Sequence, residues 1–141
     1  MRQALTEELL DDELTLIREA LGVDSPIRVW RDGLEVFVGF DHDRNGQPGL
    51  FRLGCSTFDA EAPSVAMVDV TTLEMLAMER WTTGVPHSVH PSTGQPFVCL
   101  QGVAEYHSHP SHLDDSWDRY RFRFRLAQTV IRLLDKAGVA R

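Results

Sequence analysis

The sequence predicts an α+β domain, and three observations carry that expectation. A stripe of leucines at helical spacing lies near the N-terminus, short alternating apolar segments separated by turn residues follow it, and a second helical stripe lies near the C-terminus. The chain has 141 residues and 43% hydrophobic content, enough to enclose one core, so residues 1–141 read as a single domain.

The first stripe is Leu10, Leu14, Ile17 and Leu21. Thr6 is placed to cap the helix, Glu7 and Glu8 lie in its first turn and Gly22 ends it, which predicts a helix from about Glu7 to Leu21. Asp11, Asp12 and Glu13 then read as a solvated acidic face. Ile27–Trp30 and Leu34–Phe40 read as strands joined through Arg31-Asp32-Gly33. After the polar segment Asp41–Pro48, Leu50–Thr57 and Ser64–Val70 complete a four-stranded antiparallel meander. Thr72–Glu79 fits a short helix, whereas Trp81–Val98, with its repeated Gly and Pro, reads as loop throughout. Ala127, Val130, Ile131 and Leu134 predict the C-terminal helix, closed by Gly138. Arg119–Arg125 alternates Arg with Tyr120, Phe122 and Phe124, a strand-like period that only continuity with the following helix makes helical; the rings are expected in the core and the arginines at its rim.

Composition narrows the function. A net charge of −7 is opposed to phosphate-backbone binding, so no nucleic-acid partner is expected. No apolar run approaches the ~20 residues of a membrane span, and the N-terminus has no leader-like apolar stretch, so a cytoplasmic protein without membrane partners is expected. Cys55 and Cys99 are the only cysteines and read as reduced thiols. Cys55 shares a strand face with Leu53 and reads as structural; Cys99, in a segment rich in turn residues, reads as the reactive one.

The segment His90-Pro91-Ser92-Thr93-Gly94-Gln95-Pro96-Phe97-Val98-Cys99-Leu100 resembles the active-site signature of ubiquitin-conjugating enzymes, in which His-Pro-Asn leads through a Gly-containing turn to a Cys followed by Leu. Gly49-Leu50-Phe51-Arg52-Leu53, the proline-bearing turn at Ala62-Pro63-Ser64-Val65, and Trp117 followed by a helix are similar to that family in order. The resemblance implies a minimal fold of this type: N-terminal helix, four-stranded meander, active-site loop and C-terminal helix. The chain resembles a divergent member of the kind of the small bacterial proteins encoded beside an adenylating enzyme, a ubiquitin-like protein and a JAMM-type isopeptidase. The resemblance implies that Cys99 carries a ubiquitin-like modifier as a thioester received from an adenylating enzyme and passes it to an amine or thiol, with no cofactor required. His90 and Pro91 would shape the loop, and Ser92, at the family's Asn position, would be the candidate for oxyanion support.

A second constellation is Tyr106–Asp118, which contains His107, His109, His112 and several carboxylates. Imidazoles and carboxylates are ordinary zinc ligands, so His107, His109 and His112 are candidate metal ligands; a polar loop without metal is the other reading. Glu105-Tyr106-His107-Ser108-His109-Pro110 also resembles the zinc motif of JAMM-type isopeptidases, so the alternative function is a zinc isopeptidase or a non-catalytic metal-binding module of the ubiquitin-conjugating type. That motif continues to Ser-x-x-Asp, and here Ser116 leads to Arg119, with Asp118 one residue out of register. If Cys99 is the nucleophile, a protonated histidine beside it would lower its pKa, and Asp114 or Asp118 would orient the incoming amine.

Overall fold

In the computed structural model, residues 2–141 are described, and the chain is built on one sheet and two long helices. Helix α1 (Arg2–Leu21) precedes β1 (Arg28–Asp32), β2 (Glu35–Phe40), β3 (Gly49–Gly54) and β4 (Ser64–Met67), which pair in sequence order as a four-stranded antiparallel meander. A small hairpin of β5 (His87–Val89) and β6 (Pro96–Val98) follows, then the short helix α2 (Ala104–Ser108) and the C-terminal helix α3 (Leu126–Ala137). This is the α+β order that the resemblance to ubiquitin-conjugating enzymes implies. Among the described residues, no helix is long and apolar enough to cross a membrane.

Alternation decides the sheet's inner face. Val36, Leu53 and Val65 stand in one cross-strand row and Val38, Phe51 and Met67 in the next, all buried. They form one core with Leu10, Leu14 and Ile17 of α1 and with Leu126, Val130, Leu133 and Leu134 of α3. The β1–β2 connection is a two-residue turn after Asp32, whose first central residue, Gly33, takes φ +59°, the hairpin geometry whose twist matches the strands.

Several elements differ from the sequence reading. Helix α1 begins at Arg2, so Thr6 lies inside it rather than at its cap. Thr72–Glu79 is not a helix: the Asp69 carboxylate accepts the amides of Thr71 (2.8 Å) and Thr72 (2.9 Å), and this local turn replaces the helical ladder. Met75 instead bridges to Val68, and a single 3-10 turn forms at Met78–Arg80. Trp81–Val98 is not loop throughout, because its prolines fall where a strand tolerates them: Pro86 just before β5, Pro91 in the turn and Pro96 at the start of β6. Arg119–Arg125 is neither strand nor helix; a 3-10 turn at Trp117–Arg119 passes into turns, and α3 starts at Leu126.

The charges of α1 and of the arginine run also depart from expectation. Glu13 stands three residues after Leu10 and four before Ile17, on the helix's apolar stripe, and is 1% exposed. Its carboxylate pairs with Arg125, which also reaches Asp59 (3.2 Å), and Arg121 meets the same aspartate at 3.3 Å. Two of the expected rim arginines thus point inward, while Phe122, expected in the core, is 81% exposed under the Arg121 guanidinium. Asp11 behaves as a surface residue, holding Arg31 in a two-pronged contact of 2.6 and 3.0 Å.

Replacing Arg125 by Met leaves the Glu13 carboxylate buried without its cation and is expected to cost about 3 kcal/mol near neutral pH. Burial already holds Glu13 above the ordinary carboxylate value, so the native state takes up this proton before the unfolded chain does. The cost therefore shrinks as pH falls toward the carboxylate range; urea denaturation of both proteins at about pH 5 and about pH 7 checks this, and an equal loss at both would contradict it.

Candidate functional site around Cys99

Cys99 follows β6 directly. Its amide donates to the Pro86 carbonyl (2.8 Å), so the cysteine closes the open end of the β5–β6 hairpin, in line with the pair His87–Val98. Val98 and Leu100 on either side are buried, whereas Cys99 is half-buried, and that burial pushes its thiol above the ordinary cysteine value. Burial is the cause of that shift. Cys55, as the sequence suggested, is a packed thiol: it is 1% exposed, and burial drives its pKa up to about 12.

The turn at the other end of the hairpin holds His90 and Ser92. The Ser92 amide donates to His90 Nδ1 (3.1 Å), which places the ring proton on Nε2; this N–H donates to Ser108 Oγ (3.1 Å), and Ser108 Oγ in turn donates to the Glu105 carbonyl (3.3 Å). His90 is 2% exposed and packs edge-on against Phe97 at the hairpin tip. It has no free lone pair to act as a base. Ser92 and Cys99 lie at opposite ends of a hairpin of three residue pairs, about 10 Å of strand, so oxyanion support from Ser92 finds no basis in the geometry.

What adjoins Cys99 on its C-terminal side is a clamped turn. The Gly102 amide donates to His107 Nε2 (3.0 Å), and His107 Nδ1 donates to the Asp115 carbonyl (2.7 Å). Gln101 Nε2 donates to Asp115 Oδ2 (3.1 Å) and to the Tyr120 hydroxyl (3.1 Å), and its carbonyl accepts from Arg132 of α3 (2.8 Å). Tyr106 and Tyr120 both donate their hydroxyls to the Asp115 carboxylate, the first at 2.6 Å. These donors hold Asp115 down at about 2 and, reciprocally, the carboxylate pushes Tyr106 up to about 12. Gly102 has φ +92°, and a Cβ there would come within 3.2 Å of Thr129 Oγ1, so only glycine lets the turn lie against α3.

Of the histidine run, His107 braces the turn through hydrogen bonds. Both ring nitrogens of His107 are engaged, His109 Nδ1 accepts the Ser111 amide (3.1 Å), and His112 stacks on Tyr106 with centroids 4.1 Å apart. Among the described residues, no group of three or more His, Cys, Asp or Glu side chains is arranged to hold a metal ion. Of the candidate set His107, His109 and His112, only His107 has both ring nitrogens bonded to protein groups in this arrangement. Asp115 is the carboxylate wired into the site, while Asp114 and Asp118 are exposed. The sequence carried no periodic signal for the Gln101, Tyr106, Asp115 and Tyr120 grouping, because a turn-rich segment brings these residues together.

A cleft of about 760 Å³ runs between the end of α1 and β1 past Arg18, Leu21, Ile27 and Trp30, and Cys99 does not line it. Two smaller ones, about 390 and 430 Å³, share Glu105, whose carboxylate accepts the Val65 amide (3.1 Å) and is held above its ordinary value by burial. No protein-family model matches the chain, and no curated protein matches it. The likeness to ubiquitin-conjugating enzymes thus stands on His90, Pro91, Gly94, Cys99 and Leu100 and on the order of elements.

Alkylation by iodoacetamide, read on the separate cysteine peptides by mass spectrometry, is expected to modify native Cys99 and spare Cys55. The Cys99 rate should still be climbing with pH above the ordinary cysteine value of about 8.5. A plateau reached near neutral pH would mean an activated thiolate and contradict the burial argument.

Proposed function

We propose that the protein is a ubiquitin-like-protein conjugating enzyme that carries its modifier as a thioester on Cys99. The observation that supports this reading best is the position of the sulfur. It stands half-exposed at the mouth of a hairpin whose tip is the His-Pro turn, between a helix-backed sheet and a braced turn. A carrier of a large protein needs a reachable sulfur on a rigid support rather than an enclosing cavity.

The chemistry is a thioester exchange. Cys99 loses its proton, the thiolate sulfur bonds to the acyl carbon of the modifier's C-terminus, and the bond from that carbon to the adenylating enzyme's sulfur breaks, releasing a thiol. In the second step an amine or thiol attacks the same carbon and Cys99 leaves. Neither step calls for a metal or an organic cofactor. With the thiol held above its ordinary value, little thiolate exists at neutral pH in the free protein, so idle side reactions are slow and deprotonation depends on groups that the docked partner brings. His90 serves this site as a fold-shaping residue. The zinc isopeptidase reading gains nothing from the structure, since His107 spends both ring nitrogens on protein partners. The expected partners are the ubiquitin-like modifier and its adenylating enzyme, in the cytoplasm.

Expressed in its native cell and run on a non-reducing gel, the chain should form an adduct that collapses with reductant. Cys99→Ala should abolish the adduct, Cys55→Ala should retain it, and Cys99→Ser should give an ester that survives thiol. An adduct that persists in Cys99→Ala, or no adduct in any form, refutes the assignment.

A further inference from the structure

The turn after Cys99 is fixed by side chains from three separate segments, and one group stands at their centre. Asp115 accepts from Gln101, Tyr106 and Tyr120 through its carboxylate and from His107 through its carbonyl, and His107 passes the restraint on to the Gly102 amide. Arg132 fixes the Gln101 carbonyl from α3. On the other side, the Cys99 amide is held by Pro86. The backbone on both sides of Cys99 is therefore tied by hydrogen bonds to other segments.

We infer that Asp115, with Tyr106, Tyr120 and His107, forms a positioning assembly that keeps the Cys99 sulfur partly withdrawn from water and so restrains its reactivity until a partner engages it. None of these side chains acts on the reacting atoms; they act through the turn. The inference rests on Cys99 being the reactive centre, but it concerns the free protein's thiol and is tested without modifier or activating enzyme. Packing alone would have been satisfied by phenylalanines at 106 and 120, whereas here two hydroxyls and an amide converge on one carboxylate two elements away from the cysteine.

The test is the pH profile of Cys99 alkylation by iodoacetamide in the full chain, compared with Asp115→Asn and with Tyr120→Phe, which keeps the ring and removes one donor. Loosening the turn should hydrate the sulfur and move the profile to lower pH. The rate near neutrality should rise about twofold for each half unit of that shift, the gain in thiolate being partly offset by its lower nucleophilicity. Hydrogen exchange at the Gly102 amide should accelerate in Asp115→Asn, and Asp115→Glu, which keeps a carboxylate, should recover part of the wild-type profile. If Asp115→Asn fails to fold, Tyr120→Phe carries the test. A lower melting temperature with an unchanged alkylation profile in the folded variants would reduce the assembly to a structural support and overturn the inference. A shifted profile in a chain that never forms a thioester would uphold the inference and refute only the carrier assignment.

Discussion

The Gly102 amide takes a single side-chain nitrogen, Nε2 of His107, as its acceptor, and the site depends on that choice. An imidazole that accepts at Nε2 must carry its proton at Nδ1, and there it donates to the Asp115 carbonyl. One ring thereby sets the position of the turn after Cys99 and joins it to the Asp115 segment. The same tautomer removes both nitrogens from metal chemistry. A motif that looks like a ligand set in one dimension is, in three, the brace of a cysteine-bearing turn.

The meander and the two long helices were legible because each rests on a period the chain states openly. Leu10, Leu14 and Ile17 mark α1, and Val36 and Val38 mark the inner face of β2. Where reading failed, a local hydrogen bond or a buried charge outweighed the period. Asp69 captures the amides that a helix at Thr72 would have needed. Glu13 occupies a core position that its charge disguises, and only its spacing from Leu10 and Ile17 betrays it. Cys99 was visible through its flanking motif, but Asp115 was not, since turns carry no periodicity that would relate it to Gln101.

The arginine run illustrates how composition misleads about placement. Alternation of Arg with aromatic residues suggests a sheet edge with rings inside, yet the backbone turns repeatedly there and the pairing follows charge. Arg121 and Arg125 go to Asp59, and Arg125 continues to Glu13 beneath α1. A buried ion pair of this kind adds little net stability over well-packed apolar residues; it joins α1 to the segment leading into α3. That docking matters for Cys99, because α3 supplies Arg132 to the turn beyond it.

The β5–β6 hairpin has three residues in each strand, and proline stands at Pro86 just outside it and at Pro96 within it, where no N–H is available. Open sheet edges risk recruiting a foreign strand and growing into aggregates; a ladder this short, with donors missing from its flanks, gives such a strand almost nothing to join. The residues that hid the hairpin from a reader of the sequence also shield it from promiscuous pairing in a crowded cell.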